Sequence, residues 1–210
     1  MNNFLLRLFS SFFLIIITIN VLFLGNLVFY FCIAIMCFFS FYEIYANVKQ
    51  KILSFFLYIL IIFFIFSLIH LRGNDFNGFV RCLWVVSLVS FSDIGGYVFG
   101  KIIKGPKLSK ISPNKTISGL IGSLLFSQIS ILIPIFLLNN FEINLTLILL
   151  QILVCLVAII GDIFFSYIKR INNIKDYSNL IPGHGGMLDR IDGMIFGLIF
   201  YNLFIKIFNV

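Results

Sequence analysis

The sequence predicts an all-α integral membrane protein, a polytopic bundle of about seven transmembrane helices (six to eight). Two observations lead to this prediction. Of the 210 residues, 61% are hydrophobic and only 11% are charged, whereas ordinary soluble domains contain roughly 25% charged residues. The apolar residues also form uncharged runs close to the ~20 residues that a spanning helix needs. We therefore expect no separate soluble domain.

The first apolar run, Leu8 to Tyr42, contains no charge and is too long for one span. Because Gly25 and Asn26 interrupt it near its middle, we divide it into two helices. Ile52 to Leu71 predicts a third. The run after Arg7 has no small-residue cleavage site, so we interpret it as a first spanning helix and not as a removable signal.

Four further helices are predicted downstream. They cover Val80–Gly100, Ile117–Asn140, Ile143 to about Ile168, and Leu188–Phe208. We assign residues 1–75 to N-terminal transmembrane helices and residues 76–210 to a catalytic transmembrane region with polar loops at 101–116 and 169–187. The count in the first part is the least constrained, because hydrophobicity is its only feature.

The basic residues predict the orientation, because cytoplasmic loops are enriched in Lys and Arg. With the N-terminus inside, 12 of the 15 basic residues are cytoplasmic. These are Arg7, Lys49, Lys51, Lys101, Lys104, Lys107, Lys110, Lys115, Lys169, Arg170, Lys175 and Arg190. We therefore expect a multi-pass protein of the cell (inner) membrane, with both long polar loops facing the cytoplasm.

Several acidic residues lie within or beside the apolar segments, where an ionisable group usually faces a partner or a water-filled cavity. Asp93 and Asp162 each precede the basic end of a helix by seven or eight residues, roughly 10 to 12 Å in a helix. Asp162, Ser166 and Lys169 follow helical spacing and share one face. An ion pair that locks the bundle is the structural alternative for any one of these acids.

Two loops have features of phosphate-binding segments. Ser112 followed by Pro113 is typical of a helix start, which would direct free backbone N–H groups at an anion beside Lys115. The glycines at 183, 185 and 186 permit turns that form an anion-binding nest before the last helix. Taken singly, each loop is better explained as a solvated turn.

The acids favour Mg²⁺ among the metals, because Mg²⁺ prefers oxygen ligands and is commonly held by one or two carboxylates plus substrate phosphates. The four cysteines stand singly in apolar runs and lack the spacing of a zinc site or a disulfide framework. No Ser-His-Asp order is evident, and His184 is better suited to orient a phosphate than to act as a base. The residues thus predict phosphoryl or nucleotidyl transfer at a membrane surface.

The segment from Ser166 to Asp192 resembles the signature of the phosphatidate cytidylyltransferases (CDP-diacylglycerol synthases). That signature has a Ser, Lys-Arg, Lys-Asp, Pro-x-His-Gly-Gly and Asp-Arg-x-Asp. Here it is filled by Ser166, Lys169, Arg170, Lys175, Asp176, Pro182, His184, Gly185, Gly186, Asp189, Arg190 and Asp192. An upstream block also resembles the family, at Ser92, Asp93, Tyr97, Gly100, Lys101 and Ile111 to Thr116 with Gly119. Together the two blocks span roughly Ser92 to Asp192.

The resemblance implies the reaction of CTP with phosphatidate to give CDP-diacylglycerol and pyrophosphate, with Mg²⁺ as cofactor. It implies that Asp162 and Asp189 are metal ligands, with Asp192 as a further candidate, and that Ser166 and Lys169 complete the catalytic set. It also implies substrate or phosphate contacts from Asp93, Ser112, Asn114, Lys115, Arg170, Lys175, His184, Gly185, Gly186 and Arg190. Because two carboxylates without metal repel each other, we expect Lys169 or Arg190 close to them.

Alternative functions remain open at this point. One is a related CTP-dependent kinase or cytidylyltransferase acting on a polyprenol or another lipid; another is an ion-coupled transporter; a third is an inactive scaffold. The expected partners are CTP, phosphatidate and membrane lipids, and no nucleic acid. The small-residue sets Gly95-Gly96 and Ser118, Gly119, Gly122, Ser123 could pack helices within one chain or across a homodimer.

Overall fold

A computed structural model of the chain describes residues 3–108, 112, 115–139, 141–181 and 185–205, with side chains from residue 10 onward. Within these residues the protein is helical and contains no strand beyond two isolated bridges. The helices are α1 (Asn3–Leu24), α2 (Asn26–Asn47), α3 (Lys51–Arg72), α4 (Phe76–Ile102), α5 (Ile117–Ser127), α6 (Leu132–Leu137), α7 (Leu145–Ile171) and α8 (Leu188–Phe204). The predicted all-α class is confirmed.

A 3₁₀ turn, Gln128–Ile131, joins α5 to α6, so the two form one 21-residue apolar segment. The described chain therefore has seven helical segments, as predicted, and five of them are long and apolar enough to cross a membrane. These five are α2, α3, α4, α5 with α6, and α7. Helix α8 has 17 residues, and the predicted end of its span at Phe208 lies outside the described residues.

The break between α1 and α2 falls at Gly25, as predicted. Gly25 has a φ of +60°, a conformation that glycine adopts without strain. A Cβ atom there would also lie 2.5 Å from Nη2 of Arg72. The Arg72 guanidinium is buried and donates to the carbonyl oxygens of Leu22 and Phe23 at the end of α1. A cation from α3 thereby satisfies carbonyls that α1 leaves without helical partners.

The small residues of α4 and α5 pack against each other within the chain. A Cβ on Gly95 would lie 2.3 Å from the backbone oxygen of Gly122, and one on Gly122 would lie 2.5 Å from that of Gly95. Ser123 donates from its hydroxyl to the carbonyl oxygen of Ser92. Close backbone approach of this kind is how membrane helices associate without a hydrophobic driving force. Of the two packing alternatives, the structure thus shows the one within a single chain.

The loops at residues 48–50, 103–116 and 172–187 meet at one end of the bundle. The Asn47 side chain at the end of α2 donates to the carbonyl oxygen of Tyr177 at 2.7 Å. The backbone N–H of Lys49 donates to Asn172 at 3.1 Å. The polar residues singled out in the sequence are therefore collected at the end of the bundle formed by the end of α7 and the start of α8. The assignment of residues 1–75 and 76–210 to separate roles stays a prediction.

Candidate active site

A cavity of about 310 Å³ opens between α4, α5, α7 and the 103–116 loop. Its polar lining consists of Asp93 and Tyr97 from α4, Ser112 and Lys115 from the loop, and Asp162 from α7, together with Thr116 and Ser123. Four residues predicted from separate parts of the sequence, Asp93, Ser112, Lys115 and Asp162, therefore share one cavity. Carboxylates and a cation lining the same small space are typical of a site that binds charged substrates.

Asp162 pairs with Lys115 across this cavity, and its Oδ1 accepts a hydrogen bond from the Ser166 hydroxyl at 3.3 Å. The side chains of Lys115 and Asp162 are 24% and 27% exposed, so both remain accessible. Asp162 lies nine residues before the end of α7, about 13 Å along a helix. The predicted i, i+4 relation between Asp162 and Ser166 is confirmed by their hydrogen bond.

Two further carboxylates surround Asp162. Both Asp93 and Asp192 interact electrostatically with it. Asp192 reaches this position because α7 and α8 approach closely, and a Cβ on Gly161 would lie 3.0 Å from the backbone oxygen of Asp192. Interacting like charges are stabilised by a compensating cation. Lys115 supplies one directly to Asp162.

Asp189 forms a second centre, at the start of α8. Its Oδ1 accepts from Nζ of Lys169 at 2.7 Å, and its Oδ2 accepts from the backbone N–H groups of Tyr177 at 2.8 Å and Gly186 at 2.9 Å. The Asp189 side chain is only 4% exposed. The expectation that Lys169 lies beside this carboxylate is confirmed. A metal ligand role for Asp189 stays a prediction, and it would require exchange of at least one of these contacts.

Tyr177 belongs to the same centre. Its ring lies beneath Nζ of Lys169, 5.7 Å from the ring centroid. Burial, together with the nearby carboxylates of Asp189, Asp192 and Glu43, raises the pKa of Tyr177 above its usual value. The phenol therefore stays neutral at physiological pH and packs against the lysine as an aromatic surface.

Glu43 of α2 is part of this region, although the sequence did not single it out. It is 1% exposed. Its Oε1 accepts from the Ser178 hydroxyl at 2.6 Å and from the backbone N–H of Met187 at 2.8 Å, and its Oε2 accepts from that of Leu188 at 2.8 Å. The signal that could have indicated it is its position: a carboxylate near the end of an apolar helix, four residues before Asn47.

Three successive backbone amides at the start of α8, those of Gly186, Met187 and Leu188, do bind anions, but these anions are the protein's own carboxylates. Gly185 has a φ of +85° and accepts a hydrogen bond from the N–H of Ile181. The Gly186 amide binds Asp189, and the next two amides bind Glu43. The Gly186 amide, one of those predicted to face a substrate phosphate, is therefore already bound to Asp189. Pro182, Gly183 and His184 lie outside the described residues.

The helix start predicted at Ser112 is also wrong. Helix α5 begins at Ile117, and its N-cap is Thr116, whose hydroxyl oxygen accepts from the N–H of Gly119 at 3.0 Å. The carbonyl oxygen of Ser112 accepts from the N–H of Lys115 at 3.1 Å, and both residues line the cavity. Pro113 and Asn114 lie outside the described residues.

The remaining predicted phosphate-binding residues lie on the surface at this end of the bundle. Arg170 is in the last turn of α7, Lys175 is in the following loop, and Arg190 is in the first turn of α8; all three are exposed. Arg190 interacts electrostatically with Asp93. Among the described residues, none of the three forms an ion pair with Asp162 or Asp189.

The donor set fits Mg²⁺. Asp93 and Asp162 offer accessible oxygen ligands on one cavity, and Asp192 interacts electrostatically with both. Within the described residues no group of three or more His, Cys, Asp or Glu side chains is arranged to enclose a metal. One or two carboxylates are what Mg²⁺ normally takes from a protein, since substrate phosphates and water complete its shell.

Comparison with known proteins places these residues in a family. Residues 46–208 match the model of the cytidylyltransferase family. Phosphatidate cytidylyltransferases are among the similar proteins: one from Helicobacter pylori is 38% identical over 125 residues, 59% of this chain and 46% of the relative. One from Rickettsia bellii is 41% identical over 135 residues, 61% of this chain and 58% of the relative.

A third relative, the phosphatidate cytidylyltransferase of Staphylococcus haemolyticus, is 38% identical over 129 residues, 60% of this chain and 49% of the relative. The chain spans about half the length of the curated relatives it matches. The family match covers both carboxylate centres, and Glu43 lies before its first residue. The chain belongs to the cytidylyltransferase family.

Proposed function

We propose that this chain catalyses, by itself or as part of a longer protein, the conversion of CTP and phosphatidate to CDP-diacylglycerol and pyrophosphate. The observation that carries the proposal is the open Lys115–Asp162 pair in a cavity at one end of membrane-length helices. A lipid phosphate and a nucleotide can meet only at such a boundary between the bilayer and water. The names of the similar proteins support the same reaction.

In the proposed reaction, an oxygen of the phosphatidate phosphate attacks the α-phosphorus of CTP. A new P–O bond forms, the bond between the α-phosphorus and the bridging oxygen breaks, and pyrophosphate leaves with the electron pair. The attacking phosphate is already ionised near neutral pH, so no strong general base is needed. Alignment and charge neutralisation are then the main contributions of the protein.

The residues divide this work. Lys115 lines the cavity and can bind a phosphate of CTP. Asp162 is paired with Lys115 in the structure, and it would be available to hold the cofactor once Lys115 binds the phosphate. Lys169 is 13% exposed and directed by Asp189, so it presents a fixed positive charge at the end of α7. The exposed cations of Arg170, Lys175 and Arg190 attract the anionic substrates to this end of the bundle.

We propose Mg²⁺ as the cofactor, held by Asp162 together with Asp93 or Asp192, the two carboxylates that interact electrostatically with it. Asp189 is the other predicted ligand. When bound, Mg²⁺ supplies positive charge that offsets the developing charge on the phosphates. Ser166 orients the Asp162 carboxylate through its hydrogen bond.

We further propose that this end of the bundle faces the cytoplasm of the cell in the inner membrane, where CTP is available. The concentration of basic residues in the loops at 101–116 and 169–187 supports this orientation. Whether the chain works as a homodimer is a separate proposal, and the intrachain packing of its glycine-rich helices does not require one.

The test is an activity assay on the full chain in phospholipid nanodiscs with Mg²⁺ and labelled CTP. Phosphatidate should give labelled CDP-diacylglycerol and pyrophosphate, and Asp162→Asn should lower the rate of product formation by about 10² or more. Product with a polyprenol or polyprenyl phosphate in place of phosphatidate would favour the related lipid transferase. Absence of any CTP-dependent product, with ion flux in proteoliposomes, would favour the transporter.

A further inference from the structure

We propose that Glu43 is a positioning residue: it fixes the start of α8 and the preceding turn from outside the segment that carries the predicted signature. The expected effect of Glu43 on turnover rests on the proposed function. The contacts that Glu43 makes are independent of that proposal. Glu43 belongs to α2, and all three hydrogen bonds to its carboxylate come from residues 178–188, at least 135 positions away. Nothing in the family match assigns it, since that match begins at residue 46.

The first argument is the capping of α8. The N-cap residue is Met187, whose side chain makes no capping hydrogen bond. A helix start leaves backbone N–H groups without helical acceptors, and a short polar side chain at the N-cap usually provides one. Here Glu43 accepts from the N–H groups of Met187 and Leu188 at 2.8 Å each. A distant carboxylate thus does what methionine cannot do.

The second argument is burial without a cation. Glu43 is 1% exposed, and among the described residues no Lys or Arg forms an ion pair with it. A buried carboxylate is tolerated only when its oxygens are well satisfied. Two backbone amides at a helix N-terminus and the Ser178 hydroxyl provide that stabilisation. The stabilisation of the Glu43 carboxylate therefore depends on the position of the α8 N-terminus.

The third argument is steric. A Cβ on Gly186 would lie 2.4 Å from Oε1 of Glu43, so only glycine lets the carboxylate reach the helix start. The Gly186 amide binds Asp189, which in turn holds Lys169. Glu43 and Asp189 therefore occupy three successive amides, at 186, 187 and 188. A shift at Glu43 would move Asp189 and Lys169 with it.

Asn47, one helical turn after Glu43, adds a second contact between α2 and the segment before α8. It donates to the carbonyl oxygen of Tyr177, whose own N–H binds Asp189. The end of α2 therefore contacts the chain both at Tyr177 and at the start of α8. The N-terminal helices contribute to the site by this route although they carry none of the predicted catalytic residues.

The experiment compares wild type with Glu43→Gln, using Glu142→Gln as the matched control at the exposed loop before α7. Gln keeps the shape but replaces one acceptor oxygen with an N–H₂ donor, which must face another donor. We expect hydrogen–deuterium exchange in residues 177–189 to rise at least tenfold, while exchange in α3 and α4 stays unchanged. The kcat for CTP and phosphatidate should fall about tenfold or more, with a smaller change in KM.

Ser178→Ala removes one of the three contacts and serves if Glu43→Gln fails to insert or fold; it should raise exchange in the same segment and lower kcat by about two- to fivefold. Unchanged exchange in the variant would overturn the proposal. Faster exchange with unchanged kcat would also overturn it, because Glu43 would then order the segment without affecting turnover. If the wild type makes no product, the proposed function fails, and the exchange result alone still decides whether Glu43 holds the turn.

Discussion

The two carboxylate centres, at Asp162 and Asp189, differ in how exposed the carboxylate is and in how many hydrogen bonds it accepts from the protein. Asp162 is 27% exposed, lines a cavity, and contacts one lysine and one hydroxyl. Asp189 is 4% exposed and receives a lysine and two backbone amides. Asp189 lies in the predicted signature and Asp162 lies four residues before its first member, Ser166, yet the resemblance gave both carboxylates the same role. In the structure, only Asp162 is free to take a ligand at little structural cost.

The difference has a physical reason. A carboxylate that accepts backbone N–H groups stabilises the fold around it, and a new ligand must replace those bonds. One that pairs with a flexible lysine in a half-open cavity loses little when the lysine turns to a substrate phosphate. We infer that Asp162 serves the chemistry directly, whereas Asp189 mainly fixes Lys169 and the turn at 177–186.

The largest effect is expected at the open centre. Asp162→Asn should lower kcat by about 10² or more, the scale of losing one preorganised electrostatic contact. Its thermal stability in detergent should stay close to that of the wild type, because the side chain has few contacts. Steady-state kinetics and thermal unfolding are the measurements. Retention of full turnover would remove Asp162 from the site.

At the closed centre, Asp189→Asn should affect both activity and stability. An amide retains one acceptor oxygen, but its N–H₂ group must face Lys169 or the Tyr177 and Gly186 amides. We expect a loss of about 1–3 kcal/mol in the free energy of unfolding and a fall in kcat of about tenfold. Loss of turnover with unchanged stability would indicate instead that Asp189 acts directly on metal or substrate.

The smallest effect is expected outside both centres. Asp176 is exposed in the loop after α7, and an exposed charge contributes little to stability. Asp176→Asn should therefore leave kcat within about threefold of wild type and leave stability unchanged. The same assay and unfolding measurement apply. A drop comparable to that of Asp162→Asn would show that the loop closes over the substrate.

The sequence predicted those features that depend on local patterns. The break at Gly25 and the start of α5 at Ile117 follow from apolar length and glycine chemistry, and both are confirmed. The expectation that Lys169 or Arg190 lies close to the carboxylates was based on charge compensation, and Lys169 does contact Asp189. The cap of α5 was misplaced because Ser112 and Thr116 are both competent N-cap residues, and tertiary contacts decide between them.

Other features could not be read from the chain. Glu43 contacts residues at least 135 positions away, and no periodicity in one sequence connects such positions. The glycine turn was predicted as an anion site, but a sequence does not say whether a substrate or the protein's own carboxylates supply the anion. The unequal exposure of Asp162 and Asp189 depends on how α7, α8 and the loop at 172–187 pack together.

The most direct measurement is a structure of the full chain with CTP and Mn²⁺, in which the anomalous signal of manganese locates the metal. We expect Mn²⁺ within about 2.2 Å of an Asp162 oxygen, with Lys115 turned toward a phosphate. Asp189 should still accept from the N–H groups of Tyr177 and Gly186. Manganese bound to Asp189, with those two amides released and Asp162 still paired to Lys115, would contradict the division of roles between the two centres.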